Sequence, residues 1–86
     1  MEELILDGNA AAGLLREVFA GEMTACPAEC ANCGNLAEIG ALIAFTQAPG
    51  IVLRCPMCHE VMLRLVETPA AIYFEARGTV YIRITR

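Results

Sequence analysis

The sequence predicts a small α+β fold, with an N-terminal amphipathic helix beside a β ribbon built on two cysteine knuckles, closed by a C-terminal antiparallel β-hairpin. Three observations carry this expectation. Two Cys-x-x-Cys pairs, Cys30-Ala31-Asn32-Cys33 and Cys55-Pro56-Met57-Cys58, stand with 21 residues between Cys33 and Cys55. Apolar residues recur at helical spacing between residues 9 and 20. From Glu60 onward, β-forming residues run in short alternating stretches.

The helix is expected over residues 9–20. Asn9, or Asp7 just before it, caps the first turn, and Gly21 follows the last periodic residue as a stop. Ala11, Leu14, Leu15, Val18 and Phe19 form one apolar stripe, with Arg16 and Glu17 turned away. A helix of this length is marginal alone, and Gly13 weakens it further, so the stripe must dock on something. Its own sheet is the simplest surface; a partner or a second copy is the other.

Residues 21–29, with Gly21 and Pro27, read as a linker into the first knuckle. Leu36 to Thr46 suits one or two short strands interrupted at Gly40. Gln47-Ala48-Pro49-Gly50 reads as a turn, and residues 51–54 run as a strand into the second knuckle. Val61 to Glu67 is a strand ended by Thr68-Pro69. Residues 71–75 and 79–84 then pair as a hairpin, with Gly78 in the left-handed position of a three-residue loop. That register sets Phe74 opposite Val80 and Ile72 opposite Ile82 on one face, and Tyr73 opposite Tyr81 on the other. At 86 residues the chain fits a single domain, read as an N-terminal helical segment over residues 1–22 and a β domain over residues 23–86.

Each Cys-x-x-Cys pair can set two thiolates on one side of a tight turn. Four sulfurs at about 2.3 Å from a common centre make the closed tetrahedral site that structural zinc prefers. Gly34 after Cys33 and Pro56 after Cys55 suit so tight a turn, whereas His59 stands where a glycine is commoner. The expected ligands are therefore Cys30, Cys33, Cys55 and Cys58. Iron fits the same four sulfurs less well supported, since spacing alone separates the two metals poorly. A thioredoxin-like redox pair needs a helix after the motif, and strand-like sequence follows instead. Local disulfides do not suit a reducing compartment. Cys26 could replace Cys30 as a ligand but reads as an ordinary free thiol, because Cys30 and Cys33 already complete the knuckle. His59 reads as a solvated neighbour of the site or a donor to a sulfur, and as a ligand only if a cysteine drops out.

Composition narrows the function classes. Glu2 and Glu3 stand where a secretory signal is basic, and the apolar run Leu4-Ile5-Leu6 is too short to span a membrane, so the cytoplasm is expected. The formal charge is −4, and four thiolates around a dication deepen it, which opposes general binding to phosphate backbones. A small stacking platform of Tyr73, Tyr81 and Arg83 on the hairpin keeps nucleic acid as an alternative. A closed four-cysteine site has no open position, and no phosphate loop, nucleophile elbow or Ser/His/Asp set accompanies it, so no enzyme is expected. Hydrophobic residues make up 57% of the chain, of which alanine explains only part. An apolar helix or sheet face is therefore expected to meet a protein partner or a second copy.

The cysteine pattern resembles a zinc ribbon. More narrowly, the chain is similar to a family of short, uncharacterised actinobacterial zinc-ribbon-type proteins. The matching stretches are Asp7-Gly8-Asn9-Ala10 leading to Leu14 and Phe19, then Met23-Thr24-Ala25, the Cys30/Cys33 knuckle, and residues 48–56. Leu63-Arg64-Leu65-Val66 and Gly78-Thr79-Val80-Tyr81 complete it, so that nearly the whole chain is covered. The resemblance implies fold and compartment, and no activity. The expected function is a structural zinc site that supports a protein-interaction module. A transcription-linked nucleic-acid ribbon is second and a dithiol redox protein third.

Overall fold

The computed structural model describes residues 4–19, 22–47 and 50–84. In chain order the strands are β1 (Leu4–Asp7), β2 (Pro27–Cys30), β3 (Leu36–Glu38), β4 (Ile43–Gln47), β5 (Gly50–Arg54), β6 (Val61–Glu67), β7 (Ile72–Glu75) and β8 (Thr79–Ile82). One helix, α1 (Ala12–Phe19), follows a 3-10 turn at Gly8–Ala11, and a second 3-10 turn covers Ile39–Ala41. The strands form a five-stranded sheet in the order β1-β4-β5-β6-β7 and a three-stranded sheet in the order β3-β2-β8. Every strand pairing is antiparallel.

Asp7 is the cap that starts the helical segment, its carboxylate accepting the Asn9 N–H at 3.1 Å. Ala11 and Leu15 lie one helical turn apart and are fully buried; Leu14 and Phe19 flank them half-buried. The Phe19 ring meets Phe74 edge to face, with centroids 5.3 Å apart, which ties the end of α1 to β7. The stripe thus docks on the chain's own sheet. Val18 is the exception: at the margin of the stripe, it is exposed. The expected stop at Gly21, like residues 48 and 49 of the expected turn, lies outside the described residues.

The core lies on one face of the five-stranded sheet. Alternation sends Ala44, Leu53, Leu63 and Leu65 to that face, and all are fully buried. Leu15, Ile39, Leu42 and the inward Ala28 of the small sheet close over them in one buried cluster. Among the described residues no buried side chain carries an unpaired polar atom. Nor is any helix among them long and apolar enough to cross a membrane.

Three expectations are corrected. The stretch read as a linker contains β2, the central strand of the small sheet. Pro27 is tolerated there because it opens the strand, and Ala28 and Cys30 alternate inward behind it. β1 was not foreseen; its register with β4 runs from Leu4–Thr46 to Asp7–Ile43. Finally, the C-terminal hairpin does not form. β7 pairs with β6, Phe74 opposite Leu65 and Tyr73 opposite Val66, through a turn held by Thr68 and Ala71. β8 instead joins the small sheet beside β2, with Tyr81 opposite Glu29.

Gly78 explains the divergence. Among the described glycines only Gly34 has positive φ, so Gly78 is not a left-handed turn residue. It lies flush against the start of β6, where a Cβ would overlap the Val61 carbonyl. Its carbonyl accepts the Ala31 N–H at 2.9 Å, and the neighbouring Thr79 hydroxyl donates to the Met62 carbonyl at 2.9 Å. The chain therefore crosses from one sheet to the other at a point where only hydrogen fits.

Candidate metal centre

Two hairpins carry the cysteines. The β2–β3 hairpin turns through Cys30–Asn35 in the small sheet, and the β5–β6 hairpin turns through Cys55–Glu60 in the large one. The two turns are built alike. Cys30 N donates to Asn35 O and Gly34 N to Cys30 O, both at 2.9 Å; Cys55 N donates to Glu60 O and His59 N to Cys55 O, also at 2.9 Å. Closing this loop forces the residue after the second cysteine to positive φ, 78° at Gly34 and 66° at His59. His59 occupies a glycine's conformation. Arg54 braces that turn, donating to the His59 carbonyl at 2.9 Å while its guanidinium lies 5.3 Å from the centre of the Phe45 ring.

The four sulfurs of Cys30, Cys33, Cys55 and Cys58 lie within 4.8 Å of one another. The Cys30–Cys58 separation is 3.6 Å and the Cys33–Cys55 separation 3.7 Å. A tetrahedron with metal–sulfur bonds of about 2.3 Å has edges of about 3.8 Å, so these spacings suit a shared ion. They are far too long for a disulfide, and all five cysteines are free. Cys30 and Cys55 are buried, Cys58 is half-buried and Cys33 is exposed. The ligand set thus reaches from the core to the surface.

Backbone N–H groups turn toward the sulfurs, and their effect differs from site to site. The Asn32 side chain and the Glu60 N–H bond to Cys58; against partial desolvation, and aided by the Cys30 and Cys33 thiols, they lower it from an ordinary 9.0 to about 6. Burial opposes ionisation of Cys55, yet the N–H groups of Cys58 and Met57, the latter 3.4 Å from the sulfur, and the Cys33 thiol hold it below the usual thiol value. Cys33 goes the other way. The Asn35 N–H favours its thiolate, but desolvation and the bonds shared with Cys55, Cys58 and Cys30 outweigh that and push it up to about 12. Four neighbouring sulfurs cannot all ionise unaided; a cation at their centre would supply the missing charge.

The other candidates stay apart. Cys26 is half-buried against the core, outside the sulfur group. Its backbone joins the second 3-10 turn, Ile39 N donating to Cys26 O at 3.0 Å. The His59 side chain is exposed and also outside the group. Tyr73 and Tyr81 sit on different sheets, so the hairpin platform with Arg83 is not formed. Asn32 and Arg54 are the contributors that motif reading missed. Arg54 stands directly before Cys55, where a knuckle needs bracing, but nothing local marks that role.

Fold and site together define a small α+β protein whose four clustered cysteines can hold a metal ion. The chain belongs to the family of unknown function DUF6510, whose model matches residues 1–86. No curated protein and no solved structure matches it.

Proposed function

We propose that Cys30, Cys33, Cys55 and Cys58 hold one structural zinc ion, in the manner of a zinc ribbon. The ion would serve a non-enzymatic protein-interaction module working in the cytoplasm. The observation that carries this reading is the meeting of two matched knuckles from two different sheets at tetrahedral sulfur spacings. Zinc suits it better than iron because the role needs only a closed, redox-silent clamp. Four sulfur ligands leave no position for a substrate or an activated water, which supports a non-catalytic role. The acidic total, −4, supports a protein partner over nucleic acid.

Elemental analysis of protein purified under reducing conditions tests the reading. One zinc per chain is expected, lost together with folded structure on changing Cys30 or Cys55 to serine. Protein that is folded and free of zinc would sink it, and stoichiometric iron would replace the metal.

A further inference from the structure

We propose that two copies of this chain pack sheet on sheet through the outer face of β4, β5, β6 and β7. The proposal rests on the interaction-module reading and names its partner as a second copy.

The two faces of the large sheet differ. On the inner face Ala44, Leu53, Leu63 and Leu65 are fully buried. Their neighbours of opposite parity, Ile43, Phe45, Val52 and Val66, are also apolar but only half-buried. Tyr73, opposite Val66 on the same face, is 64% exposed. An antiparallel sheet facing water on one side alternates apolar with polar residues. Here the outer set interleaves apolar residues with Arg54, Arg64 and Glu75, and its apolar members stay partly open to water. Partly open apolar residues rimmed by charged ones suit an interface, with an apolar centre and a polar rim.

Charge decides what covers it. Register places Asp7 and Glu75 on this face at the two outer strands, and Arg54 and Arg64 on the inner ones. These four cancel, so the −4 of the chain is spread over its other surfaces. Between two acidic copies, repulsion is weaker where the facing surfaces are themselves neutral. A phosphate backbone gains nothing from a neutral face. Arg64 and Glu75 are direct register partners, and no ion pair joins them among the described residues. Opposite charges side by side make the face complementary to its own half-turn image, as an isologous dimer requires.

The test is sedimentation equilibrium on the metal-loaded protein from micromolar to submillimolar concentration, with zinc content measured on the same samples. A dimer is expected. Val52→Lys, which would bury a charge directly opposite the like charge of Arg64, should raise its dissociation constant at least about a hundredfold while zinc content and circular dichroism stay unchanged. Arg64→Glu, at an exposed position that tolerates the change, should weaken the dimer, and Arg64→Glu with Glu75→Arg should restore it. Val80→Glu, on the small sheet, should do nothing. A wild-type monomer throughout overturns the proposal, as does a dimer indifferent to the Val52 and Arg64 changes or broken by Val80→Glu. Low zinc content would instead count against the metal reading, which separates the two.

Discussion

Replacing Gly78 with alanine tests where the chain goes after β7. A Cβ at that position would overlap the Val61 carbonyl oxygen and come within 2.8 Å of its carbon and 2.9 Å of the Met62 Cα. All three are backbone atoms of β6, which is paired on both sides, so no side-chain rotation relieves the clash. Overpacking in a core costs typically about 1–3 kcal/mol and more where nothing can move. Pushing Gly78 away also strains the Ala31–Gly78 and Thr79–Met62 hydrogen bonds, about 1 kcal/mol each. The sum is about 3–5 kcal/mol, a large part of a small domain's stability. A left-handed turn glycine behaves differently: alanine there costs about 1–2 kcal/mol, and asparagine recovers much of it. Urea denaturation of the metal-loaded protein, followed by circular dichroism, separates the two. Gly78→Ala and Gly78→Asn should both be severe. A loss below about 1 kcal/mol for alanine, or a marked recovery with asparagine, would refute the crossing of the chain over β6.

Other outcomes are expected. Chelation should strip protection from amides of β2, β3 and β8 before those of β4 to β6, by hydrogen exchange with mass spectrometry. Of the small sheet only Ala28 and Cys30 belong to the fully buried set, and a structural zinc contributes on the order of 10 kcal/mol. Uniform loss across both sheets would contradict this. His59→Gly should keep full metal content and raise stability by up to about 1 kcal/mol, because the positive φ of 66° suits glycine; a loss of metal would make His59 a ligand. Metal affinity should weaken as pH falls, and more steeply below about 6, where Cys58 too must release a proton to bind. The sign follows from its lowered value: the thiolate is available above that pH and lost below it. Near neutrality Cys33, held up at about 12, still carries a proton, so calorimetry in buffers of different ionisation enthalpy should register proton release on binding.

What the sequence discloses here is what short stretches determine by themselves. Both knuckles, the run of β5 into Cys55, the span of β6 and the Asp7 cap depend on neighbours within a few residues, and each was legible. Partner choice is not local. The alternation of residues 72–75 is satisfied equally by β6 or by β8, so Phe74 could be assigned a face but not a neighbour. Pro27 and scattered polar groups disguised β2, which lies between β3, its neighbour in sequence, and β8, from the far end of the chain. A glycine needed for a left-handed turn and one needed for a close approach also look alike until the opposing backbone is in place. Gly34 is the first kind, Gly78 the second.

The graded exposure of the four sulfurs has a kinetic consequence. Cys33 is open to solvent and Cys58 partly so, whereas Cys30 and Cys55 form the wall of the core. An incoming thiol or chelator could reach a bound ion only from the outer side, so exchange would begin by displacing Cys33 or Cys58. The inner pair would keep hold of the ion while its outer bonds change hands. Both hairpins would remain joined through Cys30 and Cys55 during that exchange, so a bound ion could be handed over stepwise without the two sheets first coming apart.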